Sequence, residues 1–207
     1  MIKIDKDRIY TKGKYSFRNF ISLSEEEKKM VLEWRNHINI RKWMYSDEPI
    51  EIKHHMAFIE SLNQRDDCSY WIVSKEQKNI GVFSITNIDY ENSTVESGYY
   101  KDPYNMDRDG FLFIHAQYQF MFEDLNVIST LGSMLATNKH AILNALFLGL
   151  VINSEKVLDG KIFVCGEIKK TDYFNNLEKK TDVKEFFRFI KQNRTLLNVY
   201  NNKQDPN

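Results

Sequence analysis

Glu96 sits in Thr94–Tyr100, a stretch that reads as a strand, and there its carboxylate could draw a proton through a bound water. A solvated strand glutamate is the competing reading. His54 and His55 are adjacent on a helix that follows Pro49. A neutral imidazole at either place could take a proton from an ammonium group, and a surface histidine is the plain alternative. Neighbouring side chains diverge on a helix, so the pair cannot readily share a metal. No metal-ligand spacing occurs among the five His and two Cys. Gly110 opens an apolar helix, and its amide with those of Phe111 and Leu112 offers an N-terminus that attracts a pyrophosphate. Arg108 would add a cation, Asp107 and Asp109 oppose it, and an Asp-rich helix cap explains the same residues. Met44, Tyr45, Tyr99 and Tyr100 supply faces that stack on a uracil and phenols that bond sugar oxygens, or else aromatic core. Arg35 and Arg41 suit a diphosphate or core carboxylates equally. His37 is read as structural, bonding a backbone carbonyl at a bend.

These groups need a scaffold, and the chain punctuates one clearly. Tyr15 to Leu23 alternates loosely and predicts a strand. Ser24-Glu25-Glu26-Glu27 is a capping box that starts a helix to about Asn36. A bend with Trp43, Met44 and Tyr45 follows, then a helix with Ile52, Met56, Ile59 and Leu62 on one face. Tyr70–Ser74, Ile80–Ile88 and Thr94–Tyr100 predict three antiparallel strands. A helix from Gly110 to Leu125, a strand at Val127–Leu131 and a helix from Asn138 to a Gly149 cap come next. Asp159-Gly160 marks a hairpin between two late strands. Val183 to Leu197 predicts an amphipathic helix with Phe186, Phe187, Ile190 and Leu197 on one side, followed by a polar tail. A helix and strand after an antiparallel meander require a crossover, so the sheet is mixed, with helices on both faces.

Composition narrows the function classes. The 207 residues carry 29 Lys+Arg and 29 Asp+Glu, and this balance argues against nucleic acid as a partner. No apolar run is long enough to span a bilayer, and the alternating charges of Met1–Lys14 hold no signal core, so a cytoplasmic location without membrane association is expected. Cys68 and Cys165 form no CxxC pair and read as reduced thiols.

The order of elements resembles the GNAT acetyltransferase superfamily, and three motifs carry the likeness. Trp34-Arg35-Asn36-His37-x-Asn39-Ile40-Arg41-Lys42-Trp43-Met44-Tyr45 is similar to the WRNHxNxRxxM stretch of the branch that acetylates UDP-4-amino-4,6-dideoxy-N-acetyl-altrosamine in pseudaminic acid synthesis. Gly98-Tyr99-Tyr100-Lys101-Asp102-Pro103 resembles the G-x-Y-x-x-P closing that family's fourth strand. Asn138-x-x-Ala141-Ile142, with Gly149 beyond, resembles the superfamily's N-x-x-A-I motif. The likeness covers roughly residues 15–165.

The resemblance implies an α/β GNAT fold over residues 1–168 with a helical extension over 169–207. It implies an acetyl-CoA-dependent N-acetyltransferase for the amine of a UDP-linked amino sugar, with room for a homodimer. It places acetyl-CoA at Gly98, Tyr99, Tyr100, Asn105, Arg108, Gly110, Phe111 and Asn138. It puts the acceptor at Arg41, Met44, Tyr45 and Phe58, with Glu96 and His55 as candidates for proton transfer. The match to the pyrophosphate loop is poor: Asn105 stands for Gln/Arg and Arg108 for the first glycine. A family Tyr is Ala145, a family Glu is Ser133, and the Phe after the cap is Leu150. Those departures keep two rivals open, a weakened GNAT-fold binding module and a protein or peptide amine acetyltransferase.

Overall fold

Ser24 starts the first long helix as expected. Its hydroxyl accepts from the Glu27 amide, and the Glu27 carboxylate accepts from the Ser24 amide, closing the capping box. The computed structural model describes residues 1–105 and 110–193. The chain divides into two units, Met1–Thr130 and Leu131–Asn207, each described by itself.

In the first unit, β1 (Tyr10–Lys12), β2 (Tyr15–Asn19), β3 (Ser69–Lys75), β4 (Lys78–Asp89) and β5 (Thr94–Lys101) pair antiparallel in chain order. The helices are α1 (Glu25–Asn36), α2 (Ile38–Arg41), α3 (Ile52–Ser61) and α4 (Gly110–Gln119). Strand alternation gives the sheet two packed faces. Ile72 and Val82 meet Val31 and Trp34 of α1 and Ile59 of α3 on one face. Phe17, Trp71 and Phe83 point the other way and surround Phe120 just beyond α4, with Phe17 stacked at 4.4 Å.

The second unit holds α5 (Lys139–Leu148), β7 (Val151–Leu158), β8 (Lys161–Lys169), α6 (Lys170–Phe174), α7 (Leu177–Thr181) and α8 (Val183–Asn193). The unit boundary falls within β6 (Ser129–Leu135). Asn138 caps α5 by accepting from the Ala141 amide, and Gly149 ends it at φ 108° in the left-handed region glycine favours. Asp159 and Gly160, both at positive φ, turn β7 into antiparallel β8.

Several expectations need correction. The first predicted strand stops at Asn19, because the Asn19 side chain accepts from the Ile21 amide and starts a 3-10 turn over Phe20–Ser22. The predicted strand at Val127–Leu131 is displaced to Ser129–Leu135. The Val127 amide is bonded to the Met121 carbonyl at 3.2 Å as the chain leaves a π-helical turn over Phe120–Asp124. On α8, Phe186 and Phe189 pack against Phe147 of α5, while Phe187 is 64% exposed, so the apolar stripe runs through 186, 189 and 190. Leu197 lies outside the described residues. The short elements β1, α2, α6 and α7 had no clear sequence signal.

Gly81 is the tightest point of the first unit. A Cβ there would lie 2.6 Å from the Tyr100 carbonyl oxygen and 2.8 Å from the Phe113 ring. Gly81→Ala is expected to destabilise the protein by about 1–3 kcal/mol. Urea unfolding measures it, with Gly110→Ala, where a Cβ meets nothing within 4 Å, as the reference.

Candidate active site

The chain after α1 is held by side chains that bond backbone. Asn36 donates its amide to the Ile50 carbonyl and accepts from the Ile50 amide, both at 2.8 Å. Arg35 Nη2 donates to the Ser46 carbonyl at 3.3 Å, and Arg41 Nη1 donates to the Asp47 carbonyl. His37 Nδ1 accepts from the Asn39 amide at 3.2 Å and caps α2, so its partner is an N–H rather than the expected carbonyl. Residues 42–51 have no α-helix or strand of their own except the last position's capping role, and these four side chains fix their path.

From that segment Tyr45 reaches β5. Its hydroxyl donates to Glu96 Oε1 at 2.7 Å, and Asn87 Nδ2 donates to Glu96 Oε2 at 2.9 Å. Two residues predicted separately are thus brought together, with a third that the sequence did not point to. Asn87 reaches Glu96 from a place where β4 loses register with β5, between Thr86 and Asp89, with Asn87 at φ 50°. Trp43 and Tyr45 are exposed, which removes the core reading of that cluster.

The ladder sorts the rest by face. Glu96 pairs with Thr86, Gly98 with Ser84 and Tyr100 with Val82, so these alternate residues share the α1/α3 face. Tyr99 points to the opposite face and meets Phe113 at 6.1 Å, so it does not join Tyr100 in one pocket. On the α1/α3 face the Arg35 guanidinium lies near the Tyr70 and Tyr100 phenols. Burial pushes Tyr70 up to about 12, Tyr100 well above the usual phenol, and Arg35 below its usual value. Arg35 Nη1 is buried and makes no hydrogen bond. Phe58 meets Tyr70 edge-on at 5.1 Å beside this cluster.

His55 is buried, and its Nε2 lies 2.9 Å from the Lys28 carbonyl, tying α3 to α1. No hydrogen bond joins it to Glu96. His54 is exposed, with its Nδ1 4.0 Å from Glu51. Of the positions assigned to acetyl-CoA, Gly98 accepts from the Ser84 hydroxyl at 3.3 Å, and Asn105 closes a turn on the Asp102 carbonyl. Gly110 is the first residue of α4, and Phe111 packs edge-on against His115 at 4.6 Å. Asn138 directs its side-chain oxygen to capping α5. Arg108 lies outside the described residues. An open depression of about 450 Å³ beside α1 is lined by Lys29, Glu33, Asn36, His37 and Tyr104 among others, and it includes none of the committed site positions.

The fold is that of the GNAT acetyltransferases, α/β with a mixed, mostly antiparallel sheet. The chain superposes on the crystal structure of Campylobacter jejuni N-acetyltransferase PseH with a TM-score of 0.62 at 22% identity, covering 76% of this chain and 99% of that one. It superposes on a spermidine N-acetyltransferase from Vibrio cholerae, solved with CoA and spermine, with a TM-score of 0.68 at 18% identity, covering 78% and 99%. In sequence it is similar to the acetyltransferase PseH of Campylobacter jejuni serotype O:2, 29% identical over 126 residues, which span 61% of this chain and 77% of that protein. The serotype O:23/36 counterpart is 27% identical over 125 residues, spanning 60% and 77%. These relatives bear out the GNAT resemblance read from the motifs. No family model matches the chain.

The burial of His55 sets a pH dependence. Desolvation holds its pKa below 6.5, so between the folded value and 6.5 the unfolded chain binds the extra proton. This contribution to stability is complete above 6.5 and is lost as pH falls toward the folded value. His55→Gln should flatten the stability profile below pH 6.5, read as urea midpoints across the pH range.

Proposed function

We propose that the chain is an acetyl-CoA-dependent N-acetyltransferase for the amine of a nucleotide-linked amino sugar, with residues 1–168 as its catalytic domain and 169–207 as an extension. The 2.7 Å bond from Tyr45 to Glu96 carries the reading. It joins the most specific sequence motif to the strand whose carboxylate can manage the amine proton. The sequence relatives named PseH and the solved PseH complex with acetyl coenzyme A support it.

Acetyl-CoA supplies the acetyl group as a thioester. The residues present fit such a co-substrate in part: Gly110 leaves open space at the start of a ten-residue helix, where amides and dipole favour phosphate. Gly98 keeps that strand position free of a side chain. Asn105 and Arg108 would lie along the approach to the helix, and a backbone N–H of β5 would polarise the acetyl carbonyl. On the other face, Met44, Tyr45 and Phe58 would hold the base and sugar, with Arg41 and Arg35 toward the diphosphate. An amine attacks only when neutral. Glu96, held by Asn87, would receive its proton directly or through water. His55, bonded to the Lys28 carbonyl, has a positioning role for α3 in this scheme.

The likeness to spermidine acetyltransferases gives polyamines as a second acceptor class. Arg35 argues against it, because an orphaned guanidinium N–H seeks an acceptor and repels a polycation.

Assays of free-thiol release with UDP-amino sugars, polyamines and peptides decide the acceptor. Turnover is expected to be fastest on a UDP-amino sugar, and faster turnover of spermidine or peptide overturns the assignment. Glu96→Gln should lower kcat by about 10²–10⁴-fold with little change in acetyl-CoA affinity.

Ala145 replaces the tyrosine that the resemblance places beside the leaving sulfur, and the proposed enzyme is therefore slow. Ala145→Tyr is expected to raise kcat without tightening acetyl-CoA, since the new contact strengthens in the transition state. An unchanged kcat with intact acetyl-CoA binding counts against this placement.

A further inference from the structure

All eight residues of β7 are exposed, four of them aliphatic: Val151, Ile152, Val157 and Leu158. One edge of β7 pairs with β8, and no strand among the described residues pairs with the other. An exposed, aliphatic strand edge is a template for another strand, and native proteins either block it or use it. The order of residues in β7 identifies the user. Read as Val-Ile-Asn-Ser-Glu-Lys-Val-Leu, the strand has two aliphatic residues at each end and four polar ones between, so its pattern is the same in both directions.

We infer that β7 is the seam of a two-fold dimer, pairing antiparallel with β7 of a second copy of this chain. With the axis between Ser154 and Glu155, Val151 faces Leu158 of the second copy and Ile152 faces Val157. Glu155 then faces Ser154 of the second copy and lies diagonal to its Lys156 on the same side of the ladder, an attractive pair that occurs twice by symmetry.

Other registers are worse. A slip that moves the axis onto Glu155 sets Glu155 against itself, and one that moves it onto Lys156 sets Lys156 against itself. Moving the axis between Glu155 and Lys156 keeps the charges matched but places Ile152 and Val151 opposite the Asp159-Gly160 turn. One register therefore satisfies both the apolar ends and the charged middle. A lone edge lysine usually blocks strand addition. Here Glu155 beside it makes Lys156 selective for a copy of the same strand. The irregularity in the β8 pairing between Ile152 and Ser154 adds twist, and in a two-fold ladder it recurs symmetrically on both sides of the axis. The surface is formed by the second unit alone and is independent of the acetyltransferase reading.

Sedimentation velocity on the full chain tests this with charge reversals at two exposed positions. The natural protein should be dimeric at about 50 μM, a typical range for a modest strand interface. Glu155→Lys or Lys156→Glu alone turns both diagonal attractions into repulsions and should weaken the dimer by about tenfold or more. The double reversal should restore it. An equimolar mixture of the two single variants should form a heterodimer, because each supplies the charge the other lacks. Thermal unfolding of each variant confirms that the fold is intact. A natural protein that stays monomeric overturns the inference. So does a dimer that ignores both single reversals, or single variants that neither the double reversal nor mixing rescues.

Discussion

The antiparallel ladder between β4 and β5 decides which side chains can meet on the α1/α3 face. Thr86 opposite Glu96, Ser84 opposite Gly98 and Val82 opposite Tyr100 put Glu96, Gly98 and Tyr100 on one side, while Val95, Ser97 and Tyr99 take the other. A slip of one residue would exchange the two sets and bury the carboxylate against α4. The close packing of Gly81 under the Tyr100 carbonyl and Phe113 leaves no slack for such a slip. Where the ladder does lose register, beyond Thr86, Asn87 reaches Glu96 Oε2.

The Trp34–Tyr45 motif has two jobs that its residues divide. Trp34 is buried in the core under the sheet, and Arg35, Asn36 and Arg41 bond carbonyls of the following segment. His37 caps the short helix between them. Chain without regular structure must satisfy its backbone groups through side chains or water. Here the side chains do so, and Tyr45 is left to reach across to β5. Most of this motif is therefore conformational in effect, and Tyr45 is its member that contacts the candidate base.

Signals confined to a few residues were legible before any coordinates. The capping box at Ser24, the Asn138 and Gly149 caps and the Asp159-Gly160 turn each depend on bonds within one turn of chain, and each forms. Features set by a partner in space were not legible. The separation of Tyr99 from Tyr100 follows from strand alternation, which aromatic clustering concealed. The 186, 189, 190 stripe on α8 depends on where Phe147 of α5 sits. The contact of Asn87 with Glu96 depends on a register irregularity that needs both strands. His55 is buried by α1, twenty-seven positions away, through Lys28. Its helix periodicity alone gave no hint of that partner.

Arg35 links the fold to the choice of acceptor. Leaving a buried donor without a partner costs about 1–3 kcal/mol, and more for a charged group. Arg35 Nη1 is such a donor, while Nη2 is tied to Ser46. A ligand oxygen that accepts from Nη1 recovers that cost on binding, and a diphosphate adds the stronger charge-assisted bond. A polyamine brings only donors and positive charge, so it leaves Nη1 unsatisfied and adds repulsion. Specificity is a difference between two binding free energies, and a site can create it by penalising the wrong ligand as well as by rewarding the right one. Under the proposed function, one guanidinium does both, and the half-buried cluster with Tyr70 and Tyr100 keeps it from being neutralised by water before the acceptor arrives.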